Sequence, residues 1–226
     1  MVSAVIFDID GTLVDSVDLH ARAWQEAFRC YGREVSFEEV RNQIGKGGDQ
    51  ILPVFLSPEE IARFGEKLKD DRSELFQSQY LSRVTPFPGT RALFERLRAD
   101  GKRIALASSA RQEELEHLKR IAGIEGLVEE QTSADDIERS KPHPDIFAAA
   151  LERLGHPDPA EVVVVGDTPY DAEAAGKLGL RTIGVTCSGW PEADLRAAGC
   201  VAVYDSPADL LAHYHESPLA AEGQRS

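Results

Sequence analysis

"VIFDIDGTLVDS", residues 5–16, sets an apolar run directly against two aspartates, Asp8 and Asp10, almost at the start of the chain. All four residues of Ala4–Phe7 are apolar. Unbroken apolarity fits a strand covered on both faces, as in a parallel sheet, and the acids then stand at its open carboxyl end. Like charges two residues apart in such a place repel and are poorly solvated, so either one is protonated or a cation answers them. Gly11 permits a sharp turn that folds Asp10 and Thr12 over the place Asp8 faces.

The rest of the chain bounds the answer. At 226 residues and 42% apolar content it can hold one large domain, or a domain with a smaller insertion. A formal charge of -14, from 39 acids against 25 Lys and Arg, argues against nucleic acid or an anionic membrane as partner. An anionic substrate would therefore need a locally positive site. No stretch approaches the roughly 18 apolar residues of a membrane helix, and Asp8 interrupts the N-terminal run too soon for a signal peptide. The cytoplasm is the expected location. Cys30, Cys187 and Cys200 are odd in number and scattered, which fits neither a disulfide framework nor a zinc knuckle, so they are read as reduced and mostly structural.

From about Pro88 onward strand-like and helix-like runs alternate: "RIALASS", "ARQEELEHLKRIAG", "LVEEQT", "DIFAAALERLG", "EVVVVGD", "DAEAAGKLGL", "RTIGVT", "VAVY". Such alternation marks an α/β fold, a Rossmann-like parallel sheet wrapped by helices. Residues 16–84 read instead as an inserted all-helical cap. Ser36 with Glu39 and Ser57 with Glu60 make capping boxes there, and Pro58 suits a first helical position. Pro86, Pro88 and Gly89 mark the return. The expected division is a catalytic core of residues 1–15 and 85–226 and a helical cap of 16–84, with a disordered polar tail after Ser217.

In a parallel sheet the ligand crevice lies beyond the carboxyl ends of the strands, and four such ends carry chemistry. The first holds Asp8, Asp10 and Thr12. The second holds Ser108 and Ser109; a Ser109–Gln112 capping box predicts a helix whose free N–H groups suit a phosphate, although both serines could simply cap. The third holds Lys141, which Pro142 keeps out of helical geometry ahead of a helix packing Ile146, Phe147, Ala150, Leu151 and Leu154. The fourth, "VVVVGDTPYD", delivers Asp167 from a central strand, with Asp171 at the start of the next helix. Together Asp8, Asp10, Asp167 and Asp171 make a hard oxygen cage suited to Mg²⁺, which takes few carboxylates plus water and phosphate oxygens. Asp171 could equally serve the helix N-terminus.

"DIDGTLVDS", the Ser108 strand end, "SKPHPD" and "GDTPYD", in this order, resemble the four motifs of the haloacid dehalogenase-like hydrolase superfamily, in its phosphatase branch with a helical cap, near phosphoglycolate phosphatases and β-phosphoglucomutases. The resemblance implies a phosphoric monoester hydrolase in which Asp8 is the nucleophile and Asp10 the general acid and base. It implies that Thr12, Ser108 and Lys141 hold phosphoryl oxygens, with Ser109 beside them. It also implies that Asp8, the Asp10 carbonyl and Asp167 bind Mg²⁺, with Asp171 binding directly or orienting a metal-bound water. The expected substrate is a small phosphorylated metabolite. In the cap, Lys46 of "IGKGGDQ" and His20 of "HARAWQEAF" are candidate substrate contacts, although a plain turn and simple packing of His20 and Trp24 are bland readings of the same stretches.

Three rivals are weighed against this reading. A sugar-phosphate mutase is disfavoured because Gly166 precedes Asp167 where mutases carry an acid pair, and because the cap loop supplies only Lys46 where they carry an arginine. Asp10, Asp167 and Asp171 disfavour a metal-free dehalogenase. A non-enzymatic phospho-acceptor module of the receiver type is about half this length and has no cap.

Overall fold

A computed structural model of the chain describes residues 1–220. Its strands are β1 (Ala4–Phe7), β2 (Val14–Asp15), β3 (Thr85–Pro86), β4 (Arg103–Ala107), β5 (Glu130–Thr132), β6 (Val162–Gly166), β7 (Arg181–Val185) and β8 (Cys200–Tyr204). Six of them form one sheet in the order β5-β4-β1-β6-β7-β8, with every neighbouring pair parallel. β1 lies at the centre, where the chain runs out to β4 and β5 on one side before returning to β6 on the other. That reversal opens a crevice at the carboxyl ends of β4, β1 and β6.

Successive residues of the central strands feed opposite cores, as the twofold period of a strand requires. Val5, Phe7, Ile104, Leu106, Val163 and Val165 pack on one face. Covering them are Leu93, Phe94 and Leu97 of α6 (Thr90–Ala99) and Leu115 and Leu118 of α7 (Gln112–Ala122). Ala4, Ile6, Ala105, Ala107, Val162 and Val164 face the other way, against Ile146, Phe147 and Ala150 of α8 (Asp145–Arg153) and Ala174 and Ala175 of α9 (Pro169–Gly176). The remaining helices, α10 (Glu192–Ala197) and α11 (Pro207–Ala212), flank β8.

Between β2 and β3 every element is helical: α1 (Val17–Cys30), α2 (Phe37–Arg41), α3 (Gly48–Phe55), α4 (Pro58–Glu60) and α5 (Glu66–Leu75). Two π-helical turns, Ile61–Gly65 and Phe76–Tyr80, join α4, α5 and the 3₁₀ turn Leu81–Arg83 into one rod. Ser36–Glu39 and Ser57–Glu60 form their capping boxes, and Pro58 opens α4. This segment has its own core of Ala21, Trp24, Phe28, Val40, Ile51, Leu52 and Leu68. Its two ends leave the sheet domain through a short antiparallel ribbon in which Val14 pairs with Pro86 and Asp15 with Thr85.

Three expectations are corrected. The Ser109–Gln112 capping box does not form: Arg111 is the extended N-cap of α7, and Asp135 Oδ2 accepts the Gln112 N–H at 2.8 Å in its place. "LVEEQT" is a strand only over Glu130–Thr132. Disorder does not begin after Ser217, because Leu219 is fully buried in the main core and Ser217 Oγ donates to the Tyr214 carbonyl at 2.7 Å. Residues 221–226, the rest of the expected tail, lie outside the described residues. Among the described residues the three cysteines are all free, and no helix is long and apolar enough to cross a membrane.

Candidate active site

The register places the candidate residues side by side. Phe7 pairs with Leu106 and with Val165, so Asp8, Ser108 and Asp167 emerge within two residues of one level at the same sheet edge. Thr12, carried back over that edge by the turn at Gly11, donates its hydroxyl to Asp167 Oδ1 at 2.9 Å, with Asp8 Oδ2 at 3.3 Å. Lys141 is fully buried. Its ammonium donates to Asp8 Oδ1 at 2.5 Å and to the Ala107 carbonyl at 3.1 Å, and lies 2.8 Å from Asp171 Oδ1. Asp171 also closes a capping box at the start of α9, its Oδ2 accepting from Thr168 N–H at 3.1 Å and Thr168 Oγ at 2.7 Å. Asp171 thus caps α9 and at the same time lies against the Lys141 ammonium.

Ser108 is buried, and its Oγ accepts the Ala110 N–H at 3.0 Å. Ser109 turns to the cap, donating to the Gly45 carbonyl at 3.3 Å. Burial raises the Asp8 pKa to about 7 despite Lys141 beside it, with Asp171 and Asp10 adding to the rise. Burial pushes Asp167 well up too, reinforced by Asp8 and Asp171. For Lys141 burial acts downward, but Asp171 and Asp8 outweigh it and hold the ammonium above its ordinary value.

Asp10 has a different environment. Its Oδ1 accepts from Ser16 Oγ at 2.6 Å and from His20 Nε2 at 2.9 Å, both from the start of the cap. Against the effect of burial, these donors hold the Asp10 carboxyl below its ordinary pKa. The His20 ring stacks on Phe76 with centroids 3.9 Å apart, and its Nδ1 accepts from the Arg72 guanidinium, which fixes the Nε2–H tautomer. Lys46, on the cap loop, donates to Gln43 Oε1 at 2.6 Å and sits 4.4 Å from the Tyr170 ring centre. One turn further, Asp49 Oδ1 accepts from Ser140 Oγ at 2.5 Å while Gly47 N–H donates to that hydroxyl at 2.8 Å, clasping the residue next to Lys141.

The family described as haloacid dehalogenase-like hydrolase matches residues 2–179. The chain belongs to that family. This hydrolase is 31% identical over 210 residues to a phosphorylated carbohydrates phosphatase of Thermotoga maritima, covering 92% of its own length and 96% of the relative's. It is 34% identical over 202 residues to the chloroplastic protein Suppressor of Quenching 1 of Arabidopsis thaliana; the match takes in 88% of this chain but spans only 19% of that protein. Among solved structures it superposes on a hydrolase from Pseudomonas syringae with a TM-score of 0.85 and 27% identity, over 94% of this chain and 98% of the other.

The acidic pocket of this hydrolase fits a divalent cation. One carboxylate oxygen each from Asp8, Asp167 and Asp171 lie within 4.8 Å of one another. Asp167 Oδ2 is buried and without a hydrogen-bond partner, and a Cβ at Gly11 would come within 2.3 Å of it. An oxygen set of this kind, with two carboxyls held above their ordinary pKa by burial and mutual repulsion, has the chemistry of a site for a hard divalent cation.

Four residues facing the site are absent from the candidates the sequence offered: Arg72, Glu114, Asp49 and Ser140. The cap loop supplies only Lys46, as its sequence reads, but α5 of the same cap also brings Arg72 to the site. Arg72 sits in the polar stretch "EKLKDDRSEL", where nothing sets it apart. Glu114 left a signal: it lies four residues before Leu118 and eight before Ala122, on the buried stripe of α7.

Proposed function

We propose that this hydrolase is a Mg²⁺-dependent phosphatase that cleaves small phosphomonoesters through an aspartyl-phosphate on Asp8, with a core of residues 1–15 and 85–226 and a cap of 16–84. The observation that carries the reading is the buried Asp8 carboxylate at the sheet edge, 2.5 Å from Lys141 Nζ and joined to Asp167 through Thr12. A carboxylate nucleophile splits one difficult displacement into two, and phosphoryl transfer asks chiefly for positioning and for positive charge around the transferring oxygens. Asp8, the Asp10 carbonyl and Asp167 would hold Mg²⁺, with Asp171 beside them. Bound there, the ion supplies positive charge against both the carboxylates and the phosphoryl oxygens.

In the first step Asp8 attacks phosphorus, and Asp10 passes a proton to the departing oxygen. A nearby phosphoryl dianion favours the protonated form of Asp10 that this step needs. In the second, water attacks the aspartyl-phosphate and Asp10 takes its proton; the Ser16 and His20 donors favour the ionised form that this step needs. Lys141 orients Asp8 throughout, and Thr12, Ser108 and Ser109 border the phosphoryl position. The cap, clasped to Ser140 through Asp49 and Gly47, excludes bulk water from the closed site. Hydrolysis is favoured over intramolecular transfer because a mutase needs a second phosphate clamp: Lys46 on the cap loop is held by Gln43, and Arg72 stands beside the buried carboxylate of Glu114, which repels a second phosphate.

The test is phosphate release from a panel of phosphomonoesters by the purified protein with Mg²⁺. Asp8→Asn should fall to background with its circular dichroism spectrum unchanged. Substantial turnover by that variant would remove Asp8 as the nucleophile. Supplying β-glucose 1-phosphate with a trace of the 1,6-bisphosphate should yield free phosphate faster than glucose 6-phosphate; the reverse order would restore the mutase reading.

A further inference from the structure

Beside the narrow cleft that opens onto Asp8 and Asp10 lies a larger cavity of about 250 Å³, and the two share Trp24, Arg72, Ser109, Ala110 and Glu114 as lining. Its volume holds several waters, and therefore a leaving group of sugar size. Its wall contains an unusual carboxylate. The Glu114 side chain is 2% exposed, yet Oε1 accepts no hydrogen bond among the described residues. The nearest side-chain donor atoms are Arg72 Nη1, 3.7 Å from Oε2, and His20 Nε2, 3.9 Å from Oε1, both beyond hydrogen-bond reach. Arg72 presents the complement: its Nε is buried without an acceptor. The guanidinium carbon lies 5.3 Å from both the Trp24 and Phe76 rings. Buried polar groups are almost always hydrogen-bonded, so an unmatched acceptor and donor in the same wall point to a ligand that brings both.

We propose that Glu114 and Arg72 read a neutral, polyhydroxylated leaving group, a sugar or polyol phosphate, and turn away leaving groups that carry a second negative charge. This rests on the phosphatase reading above and names the substrate class of the same site. A hydroxyl donates to Glu114 and a neighbouring hydroxyl oxygen accepts from Arg72, while the largely buried Trp24 borders the carbon skeleton. A carboxylate or second phosphate offers Glu114 no donor and meets its charge at close range. The other cavity cations do not compensate. Lys69 pairs with Glu66 at 2.8 Å and Arg111 with Asp70 at 2.6 Å, while Asp49, Asp135 and Glu138 add further negative charge to the lining.

The experiment measures kcat/KM with Mg²⁺ for glucose 6-phosphate, ribose 5-phosphate and glycerol 3-phosphate against 2-phosphoglycolate and pyrophosphate, with p-nitrophenyl phosphate reporting the chemistry alone. At least one hydroxylated ester should exceed both anionic substrates by about tenfold or more, since a site built to hydrogen-bond hydroxyls discriminates strongly against groups that cannot donate. Glu114→Gln should shrink that ratio by about tenfold, the scale of one hydrogen bond to a charged group. Arg72→Lys, placed in the cap and not in the core, should shrink it as well, and decides the matter if Glu114→Gln does not fold. Preference for 2-phosphoglycolate or pyrophosphate, or an unchanged ratio in the folded variants, overturns the proposal. Failure to release phosphate from any substrate, p-nitrophenyl phosphate included, overturns the phosphatase reading and this inference with it.

Discussion

Lys141 Nζ lies 2.5 Å from Asp8 Oδ1, joining residues 133 positions apart where the lysine is wholly shielded from water. Asp171 closes the group at 2.8 Å on the other side of the ammonium. One cation thus answers two carboxylates, and Asp167 is left without one.

Lys141→Met should therefore cost stability as well as activity. Removing one partner strands buried charges, an effect of about 3–5 kcal/mol where no relief is available. Urea unfolding at neutral pH should show a lower midpoint, and phosphate release should fall at least a hundredfold. A fully active or equally stable variant would mean that Asp8 does not depend on this contact.

Stripping divalent metal with chelator should abolish activity, and Mg²⁺ should restore it. Asp167→Asn should raise the Mg²⁺ needed for half-maximal rate by about tenfold or more. Asp171→Asn should act more on melting temperature, because Asp171 caps α9 and pairs with Lys141 as well. Mg²⁺ titrations and melting curves of the two variants separate these effects; identical behaviour would place both carboxylates in the same role.

Gly11→Ala should inactivate without unfolding. Gly11 has φ +80°, and an added Cβ would stand 2.3 Å from Asp167 Oδ2 and 2.7 Å from Val17 Cγ2. The backbone strain there is of order 1–3 kcal/mol, which a domain of this size withstands, but the displaced Asp167 loses its position. Activity together with a thermal melt checks this, and normal turnover would show that the turn tolerates a side chain.

Thiol chemistry offers a fourth check. Burial pushes the Cys187 and Cys200 thiols up to about 12, so both stay protonated throughout the ordinary working range, whereas Cys30 is exposed. At pH 8 a thiolate-directed reagent should titrate one group quickly in the folded protein and three after denaturation. Rapid reaction of two or more thiols in the folded state would contradict the shielding of half-buried Cys187 or of buried Cys200.

Much of the architecture was legible because its causes are local. A four-valine run, an apolar run ending in Asp8 and capping boxes at Ser36 and Ser57 each act within a few residues, and each stands in the structure as the spacing predicts. Where a local rule had a distant competitor it failed: Asp135, 23 residues away, took the N–H that Ser109 was expected to cap. Leu219 likewise found a core that no pattern in the polar tail announces.

The sequence by itself determined that acids, a lysine and serines stand at the carboxyl ends of parallel strands, because strand period and turn chemistry are properties of short segments. Tertiary structure decided which of them meet and what faces them. The contact of Arg72 with His20, 52 positions apart, exists only once the helical segment packs on itself, and those of His20 with Asp10 and Asp49 with Ser140, 10 and 91 positions apart, only once that segment folds back on the sheet. The unmatched carboxylate of Glu114 arises in the same way: one helix face supplies the charge, and packing of the cap against it removes the water that would otherwise satisfy it.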